Sequence, residues 1–213
     1  RSNEFATDIA LGDIDGDGRD EIVVTRTAST GRSRVLLYDD SQANYRLLWE
    51  FGAEWGSGNN ATAVAFGNVD ADAAEELVIG RNADENARVW VVHRASAGTF
   101  HATPIAGTVP WGSGNYATDV ALGDIDGDGR DEIAVTRRTN SNERVLVYDD
   151  ADTNYRQIAR DQEQWATNEY ATAAAFGDVN GDGREELAIG RVASRGPTYT
   201  IYRLQGSALF SLR

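Results

Sequence analysis

The stretch GDIDGDGRDEI occupies residues 12–22 and occurs again, letter for letter, at 123–133. Two related stretches lie between and after them, GNVDADAAEEL at 67–77 and GDVNGDGREEL at 177–187. The pattern therefore recurs about every 55 residues, a period that indicates a propeller or another repeat array. One motif thus defines both a fourfold repeat and four acidic loops.

Each acidic loop contains the residue types of a cation site. In the first loop, Asp13, Asp15 and Asp17 alternate with small or turn-forming residues, and Gly18 follows. Oxygen ligands at this density suit a hard cation, and Ca²⁺ accepts flexible oxygen cages better than Mg²⁺ does. The glycine permits the positive φ that lets the chain wrap around an ion. The sequence therefore predicts Ca²⁺ as the cofactor, with up to four ions.

The loop starts like an EF-hand but continues differently. An EF-hand needs a bidentate glutamate at position 12 and a following helix. Here position 12 is apolar, and the acid stands at position 9. We therefore expect side-chain ligands at positions 1, 3, 5 and 9 and a backbone carbonyl at position 7. The predicted ligands are Asp13, Asp15, Asp17, Arg19 and Glu21; Asn68, Asp70, Asp72, Ala74 and Glu76; Asp124, Asp126, Asp128, Arg130 and Glu132; Asp178, Asn180, Asp182, Arg184 and Glu186.

The second loop is the poorest match to this pattern. It has Asn68 at position 1 and Ala73 in place of the glycine. A solvated acidic hairpin without a metal is the alternative for every loop, and it applies most strongly to this one.

The flanking sequences predict strands. In the first repeat these are TDIALG (7–12), EIVVTR (21–26), RVLLYD (34–39) and YRLLWE (45–50), and the other repeats follow the same order, with fourth strands at 100–105, 155–160 and 208–213. Such runs are short, rich in β-branched and aromatic residues, and bounded by turn formers. Each repeat is therefore predicted to be a four-stranded antiparallel meander, the size of one propeller blade.

These motifs resemble the FG-GAP/VCBS repeats, which build the integrin α-subunit head and many secreted bacterial propellers. The resemblance rests on the DxDxDG-type loops, on Phe66-Gly67 and on Phe176-Gly177, and it covers nearly the whole chain. The GAP element itself is absent. The resemblance implies an all-β fold, a calcium-loop β-propeller of four four-stranded antiparallel blades. It does not imply one ligand, because one scaffold serves many partners.

The predicted single domain spans residues 1–213, with blades at approximately 5–53, 60–108, 116–163 and 170–213. Segments 6–26 and 117–137 differ only at Ile9/Val120 and Val23/Ala134, which indicates a doubled two-blade unit. Propellers of the resembled family usually have more than four blades. Three architectures therefore remain open: a closed four-bladed ring, half of an eight-bladed homodimer, and a piece of a longer propeller.

The composition favours a secreted or cell-surface bacterial protein. The formal net charge is −14, there is no cysteine, and all twenty basic residues are arginine, as the sequence contains no lysine. The acidic balance disfavours nucleic-acid binding. The sequence has neither a membrane-spanning run nor a signal peptide, so no membrane insertion is expected. Without cysteines, bound Ca²⁺ is the expected stabiliser of the blades.

A ligand surface is predicted on the face opposite the calcium loops. Each second strand ends in arginine, and the joints WGSGNNAT (55–62), WGSGNYAT (111–118) and WATNEYAT (165–172) add aromatic and amide groups. This chemistry suits a carbohydrate, although a tryptophan at a blade joint also serves as a packing wedge. The candidate residues are Arg26, Trp55, Arg81, Trp111, Tyr116, Arg137, Trp165, Tyr170 and Arg191.

The sequence gives no indication of catalysis. Its two histidines, His93 and His101, occur only in the second repeat, and no nucleophile motif or phosphate loop is present. We therefore expect no enzymatic activity. The function expected is a binding module, most plausibly for carbohydrate. The alternative is a structural or protein-interaction propeller of a larger secreted or cell-surface protein.

Overall fold

The computed structural model describes residues 4–70, 72–82, 88–96, 98–105, 111, 115–139, 143–161, 164–194 and 196–212. The described elements are sixteen strands and a 3-10 turn at Ala151–Thr153. The strands are β1 Ala6–Gly12, β2 Glu21–Arg26, β3 Val35–Tyr38, β4 Leu47–Phe51, β5 Asn60–Gly67, β6 Glu76–Asn82, β7 Val89–Ser96, β8 Thr99–Pro104, β9 Tyr116–Gly123, β10 Glu132–Arg138, β11 Val145–Tyr148, β12 Gln157–Arg160, β13 Tyr170–Gly177, β14 Glu186–Val192, β15 Tyr199–Gln205 and β16 Ala208–Ser211.

All strand pairs are antiparallel, and neighbours in sequence are neighbours in the sheets. Four meanders result, which we number 1 (β1–β4), 2 (β5–β8), 3 (β9–β12) and 4 (β13–β16). Meanders 2 and 3 are linked into one eight-stranded sheet by the single pair Asn82–Tyr116. The all-β prediction is confirmed.

The first strands of successive meanders lie side by side, so that β5 lies between β1 and β9, and β9 lies between β5 and β13. Among the described strands, β13 does not pack on β1, and a ring closed within one chain is therefore not observed. Burial follows the same order. β6 and β10 are buried at almost every position, whereas β2 alternates between buried and half-buried residues.

A bulge at one threonine recurs in the first strand of every meander. The register between first and second strands shifts at Thr7, Thr62, Thr118 and Thr172. A bulge re-aims its side chain, and here it directs the hydroxyl to the next meander. Thr62 Oγ1 donates to the Ala117 carbonyl and Thr118 Oγ1 to the Ala171 carbonyl, both at 2.8 Å.

Two predicted fourth strands start later than expected. Sequence alone places their first residues at Tyr45 and Tyr155, whereas β4 begins at Leu47 and β12 at Gln157. The preceding Asn-Tyr pairs have φ between 53° and 58°, a left-handed conformation that a strand cannot contain. The predicted domain start at residue 1, the predicted blade ends at 108, 163 and 213, and positions 112–114 of the second joint lie outside the described residues.

Candidate metal loops and candidate ligand cleft

Each acidic loop connects the first and second strands of its meander. In the first, third and fourth loops the backbone folds around the carboxylate at position 1. Gly18 N–H donates to Asp13 Oδ2 at 2.8 Å, and Gly129 N–H donates to Asp124 Oδ2 at 3.0 Å. Both glycines have positive φ, of 87° and 92°, so the close turn requires glycine there. The fourth loop repeats these bonds around Asp178.

The position-7 residues are held in the same way in all four loops. The N–H of each donates to the carboxylate at position 5, at distances of 2.7–3.0 Å. The residues are Arg19, Ala74, Arg130 and Arg184, with acceptors Asp17, Asp72, Asp128 and Asp182. These peptides are therefore fixed at the rim of the loop, where we predict their carbonyls as ligands.

The carboxylates of the first and third loops converge. One oxygen each from Asp13, Asp15 and Asp17 lies within 4.8 Å of the others, and the same holds for Asp124, Asp126 and Glu132. The predicted ligands at positions 1 and 3 are thus brought together in both loops. Position 5 joins the first cluster and position 9 joins the third.

The position-9 glutamates are buried beneath the loops. Glu21, Glu76, Glu132 and Glu186 are at most 3% exposed. Glu132 Oε2 accepts the N–H of Ile125 at 3.0 Å, while its Oε1 has no hydrogen-bond partner. Glu21 Oε2 likewise has no partner. A buried carboxylate oxygen without a partner is costly.

Electrostatics at these two glutamates is unfavourable for the bare protein. Burial, followed by repulsion from Asp126, raises the pKa of Glu132 to about 8. Burial and then repulsion from Asp15 raise the pKa of Glu21 to about 7. A divalent cation would satisfy the unpartnered oxygens and offset the repulsion. The all-oxygen donor set therefore fits Ca²⁺.

The second loop is built differently. Asn68 Nδ2 donates to the Asp72 carbonyl at 2.7 Å, and the converging groups are Asp70, Glu76 and His93. His93 Nδ1 lies 3.7 Å from Glu76 Oε1, and a hydrogen bond to that carboxylate raises the pKa of His93. Sequence reasoning missed His93. The sequence position of His93 could have revealed it. His93 is the last residue of RVWVVH, and the equivalent residue in the first and third repeats is aspartate.

The fourth loop has Asn180 at position 3. Its side-chain amide donates to Glu186 Oε1 at 2.5 Å, and Val179 N–H donates to Glu186 Oε2 at 3.2 Å. Glu186 Oε1 therefore has a hydrogen-bond donor, whereas the equivalent oxygen of Glu132, Oε1, has none. The asparagine carbonyl oxygen would still be available as a ligand after a rotation of the amide.

The predicted ligand-contacting tryptophans are buried. Trp55, Trp111 and Trp165 are 2–7% exposed. Each ring stacks on the penultimate residue of the second strand of the next meander, an arginine, as in Arg81 over Trp55 at 4.1 Å. Burial therefore corrects the expectation of open aromatic faces for stacking. The rings act as packing wedges between meanders, because a cation–π pair that is shielded from water stabilises each junction.

Sequence reasoning also missed a second set of arginines. Arg88 and Arg144 also lie over the rings of Trp111 and Trp165, at 5.4 and 5.2 Å. Arg34 donates to the Gly52 carbonyl at 2.7 Å beside Trp55. The recurrence of these arginines in the sequence could have revealed them, since the dipeptide RV stands at the start of the predicted third strand in three repeats. Arg26 has no stacked tryptophan among the described residues and pairs with Glu4 at 3.3 Å.

The two predicted tyrosines lie at a cleft between meanders 3 and 4. Arg138 donates to the Tyr116 hydroxyl at 3.2 Å and lies 5.1 Å from the centre of the Tyr170 ring. A cavity of about 260 Å³ is lined by Arg138 and Tyr170, and also by Asn168 and Glu169, whereas Tyr116 is not among its lining residues. Arg138 has no counterpart in the other repeats, where Thr27, Asn82 and Val192 stand in its place, so recurrence could not reveal it.

Glu169 forms the floor of this cleft. It accepts Ser194 N–H at 2.8 Å and Ala166 N–H at 3.0 Å, and it pairs with Arg191 at 3.3 Å. These bonds, with the Ser194 N–H first, lower the pKa of Glu169 to about 2. The carboxylate is therefore ionised at neutral pH, next to the exposed guanidinium of Arg138.

Comparison with known protein families gives two matches. The model described as FG-GAP-like repeat matches residues 68–135 and 124–189, and the model described as FG-GAP repeat matches residues 5–38. A search of curated proteins found no match. Within the described residues, no helix is long and apolar enough to span a membrane.

Two rhamnogalacturonan lyases share the fold, with TM-scores above 0.5. The exotype rhamnogalacturonan lyase YesX aligns with 97% of this chain and 48% of its own, with a TM-score of 0.55 and 14% identity. The Bacillus licheniformis rhamnogalacturonan lyase PL11 aligns with 95% of this chain and 47% of its own, with a TM-score of 0.52 and 15% identity. The V. cholerae biofilm matrix protein Bap1 has a TM-score of 0.43 at 16% identity, covering 94% and 38%. The chain thus spans about half the length of the first two.

Proposed function

This chain belongs to the FG-GAP repeat family, and on that basis we propose that it is a non-catalytic, calcium-binding module whose four meanders are the blades of a β-propeller. The observation that carries the calcium proposal is the unpartnered buried oxygen of Glu132, next to the converging side chains of Asp124 and Asp126. The ligands are those of the first, third and fourth loops. The second loop differs, because His93 pairs with its glutamate.

Calcium in these loops would have a structural role. Each loop joins two strands of one meander, and in the second, third and fourth loops the acid at position 8 bonds the preceding meander, as Glu75 does to the N–H of Asp13 at 2.9 Å. An ion that fixes a loop therefore also fixes a junction. With a formal net charge of −14, the metal-free chain repels itself, and bound cations reduce that repulsion.

The test is thermal unfolding with Ca²⁺ and with EDTA. A ligand that binds only the folded state adds about 2.7 kcal/mol at 100 times its Kd. For a chain of this size, we expect the melting temperature to rise about 2 to 4 °C per kcal/mol. An equal melting temperature in Ca²⁺ and EDTA would contradict the proposal.

A matched pair of variants locates the effect. Glu132→Gln keeps the size of the side chain and an acceptor for the Ile125 N–H but removes the carboxylate, so we expect little loss of stability in EDTA and a smaller gain with Ca²⁺. The control is Glu50→Gln on exposed β4, which should leave both melting temperatures unchanged. If both variants keep the full calcium gain, Glu132 is not a ligand.

For the binding activity we propose a carbohydrate ligand at the cleft between meanders 3 and 4. Arg138 and Asn168 offer exposed polar groups, and Tyr170 offers a half-buried aromatic face, which together suit hydroxyl or carboxylate groups on a sugar. The proposal rests on this chemistry, because the likeness to the two rhamnogalacturonan lyases concerns the fold. Catalysis is not part of it.

A glycan array tests this ligand class. Arg138→Ala should abolish binding to any glycan that the wild type retains, while the exposed control Arg46→Ala should not. An array without any bound glycan would favour the second candidate, a structural or protein-interaction module in a larger secreted or cell-surface protein. The exposed apolar side chains of the terminal meanders are the observation that favours this second candidate.

A further inference from the structure

The two terminal meanders leave apolar surface uncovered. All ten large hydrophobic side chains that are exposed in the described residues belong to meander 1, with the residue before it, or to meander 4 with its loops: Phe5, Ile9, Leu11, Tyr45, Leu47, Val179, Val192, Tyr199, Phe210 and Leu212. Two direct comparisons with the inner meanders show the difference. Ile9 is 62% exposed and its equivalent Val120 is 4%, while Val179 is 62% exposed and its equivalent Val69 is 0%.

The junction between meanders 2 and 3 shows what covers such surfaces. Three contacts define it. Thr62 Oγ1 donates to the Ala117 carbonyl at 2.8 Å, Asn68 N–H donates to Asp131 Oδ2 at 2.8 Å, and Asp131 N–H donates to the Asn68 carbonyl at 2.8 Å. The first side of every junction thus presents a threonine and the start of a loop. The second side presents an alanine carbonyl and an acid.

The same groups are present and uncovered at the two ends of the chain. Meander 4 presents Thr172 and the loop start at Asp178, both exposed. Meander 1 presents Ala6, with its carbonyl, and Asp20, which are also exposed. The alanines equivalent to Ala6 are buried, namely Ala61, Ala117 and Ala171. The acids equivalent to Asp20 are half-buried, namely Glu75, Asp131 and Glu185. Each end therefore carries one half of the junction.

A glycine at the end of each first strand gives an independent measure of this difference. A Cβ added to Gly67 would collide with Leu122 and Asp131 of the next meander, and those added to Gly12 and Gly123 would collide with Phe66 and Phe176. At Gly177 there is nothing within 4 Å of the added atom. The surface at Gly177 therefore has the shape of a junction surface, but no residue of the same copy packs against it.

The repeat order indicates which neighbour fits. Meanders 1 and 3 have leucine before their glycine, at Leu11 and Leu122, whereas meanders 2 and 4 have phenylalanine. Inside the chain, meander 2 is followed by a leucine-type meander. Meander 4 resembles meander 2, and meander 1 is nearly identical to meander 3 over residues 6–26 and 117–137. Meander 1 of a second copy therefore reproduces the observed junction almost residue for residue.

We infer that two copies of this chain pair head to tail, with meander 4 of each copy packed on meander 1 of the other as meander 2 packs on meander 3. Gly177 then receives the second copy's Leu11, and Thr172 donates to the second copy's Ala6 carbonyl. Because each chain carries both halves of the junction, two contacts form at once and the pair closes without a free end. The result is a ring of eight meanders.

These contacts are weaker than the internal junctions. Each internal junction includes a tryptophan from the segment that connects two meanders, such as Trp111 against Arg137. Among the described residues, Arg26, the equivalent arginine of meander 1, has no stacked tryptophan and pairs with Glu4 instead. The dimer is therefore expected to dissociate on dilution before the chain unfolds.

Light scattering on the intact chain in calcium-containing buffer tests the inference. We expect a mass twice that of the 23.1 kDa chain. Gly177→Leu, on one face, and Leu11→Arg, on the other, should each reduce the mass to that of one copy while the far-ultraviolet circular dichroism is unchanged. Gly67→Leu is the matched control inside the chain, where the same change should lower the melting temperature.

A mixture of the two variants separates head-to-tail pairing from other arrangements. In that mixture, the intact meander 4 of the Leu11→Arg copy can meet the intact meander 1 of the Gly177→Leu copy, so one contact is restored. We expect a dimer to reappear, weaker than the wild type. A monomeric wild type, a dimer that resists both substitutions, a mixture without recovery, or an open series of larger masses would each overturn the inference.

Discussion

Glu169 shows how one side chain links the cleft to stability. Its carboxylate accepts two backbone N–H groups and pairs with Arg191, and the pKa falls from an ordinary 4.5 to about 2. A group whose pKa is lower in the folded state stabilises the protein above its unfolded pKa. That stabilisation is lost as the pH falls from about 4.5 towards 2.

We therefore predict that Glu169→Gln lowers the melting temperature at pH 7 and that the difference from the wild type shrinks towards zero near pH 2. Melting curves at several pH values check this. The difference between the two proteins is the relevant quantity, because many other carboxylates titrate in both. A difference that grows on acidification would contradict the assigned role.

The tryptophans and buried arginines mark what residue types alone could not predict. The sequence places an aromatic ring and a guanidinium at every joint, and this pairing suits either a ligand or a packing wedge. The three-dimensional structure is needed to choose between these two roles. It places Arg191 on the Trp165 ring at 4.1 Å inside a junction, which is the packing role. By contrast, the loop carboxylates were predictable, since alternating acids in a tight turn must converge.

At the scale of elements, the strand order and the loops were predictable from periodicity and turn residues. Strand ends were less so, as the Asn-Tyr turns before β4 and β12 show. The bulged threonines were not foreseen at all. A threonine fits any strand, and its register shift is apparent only when both strands are paired.

These threonines give a prediction about the junctions. Thr118→Val keeps the shape of the side chain but removes the hydrogen bond from Oγ1 to the buried Ala171 carbonyl. Loss of such a bond costs about 1 kcal/mol, which for this chain length lowers the melting temperature by about 2 to 4 °C. Differential scanning calorimetry measures it.

The exposed Thr103→Val in β8 is the control for this substitution and should change the melting temperature little. Equal melting temperatures for Thr118→Val and the wild type would mean that the bulges do not contribute to holding the meanders together.

At the scale of the whole molecule, the fourfold repeat was evident from the sequence but the closure of the ring was not. Every repeat carries both halves of a junction, so repeat pattern alone is compatible with a closed ring, a dimer or part of a longer array. The exposed fraction of equivalent side chains shows which meanders lack a neighbour. Ile9 and Val120 occupy equivalent positions, and they are 62% and 4% exposed. The same comparison is impossible from sequence.

The charge distribution of the whole molecule bears on the proposed calcium sites. Thirty-four acidic residues face twenty basic ones, and many of the acids are concentrated in four loops at the junctions between meanders. Arginines such as Arg81 and Arg191 stack on tryptophans inside the junctions, whereas Arg19, Arg94 and Arg130 pair with loop carboxylates. The arginines leave the buried Glu132 oxygen without a partner, and this supports the proposal that a cation from solution, best Ca²⁺, binds there.

Isothermal titration calorimetry of the EDTA-stripped chain with Ca²⁺ tests this central claim most directly. The account predicts saturable binding at the first, third and fourth loops, with the second loop, where His93 pairs with Glu76, binding more weakly or not at all. Glu132→Gln should weaken one of these sites. Saturable binding that Glu132→Gln leaves unaltered, or no heat of binding beyond dilution, would contradict the account.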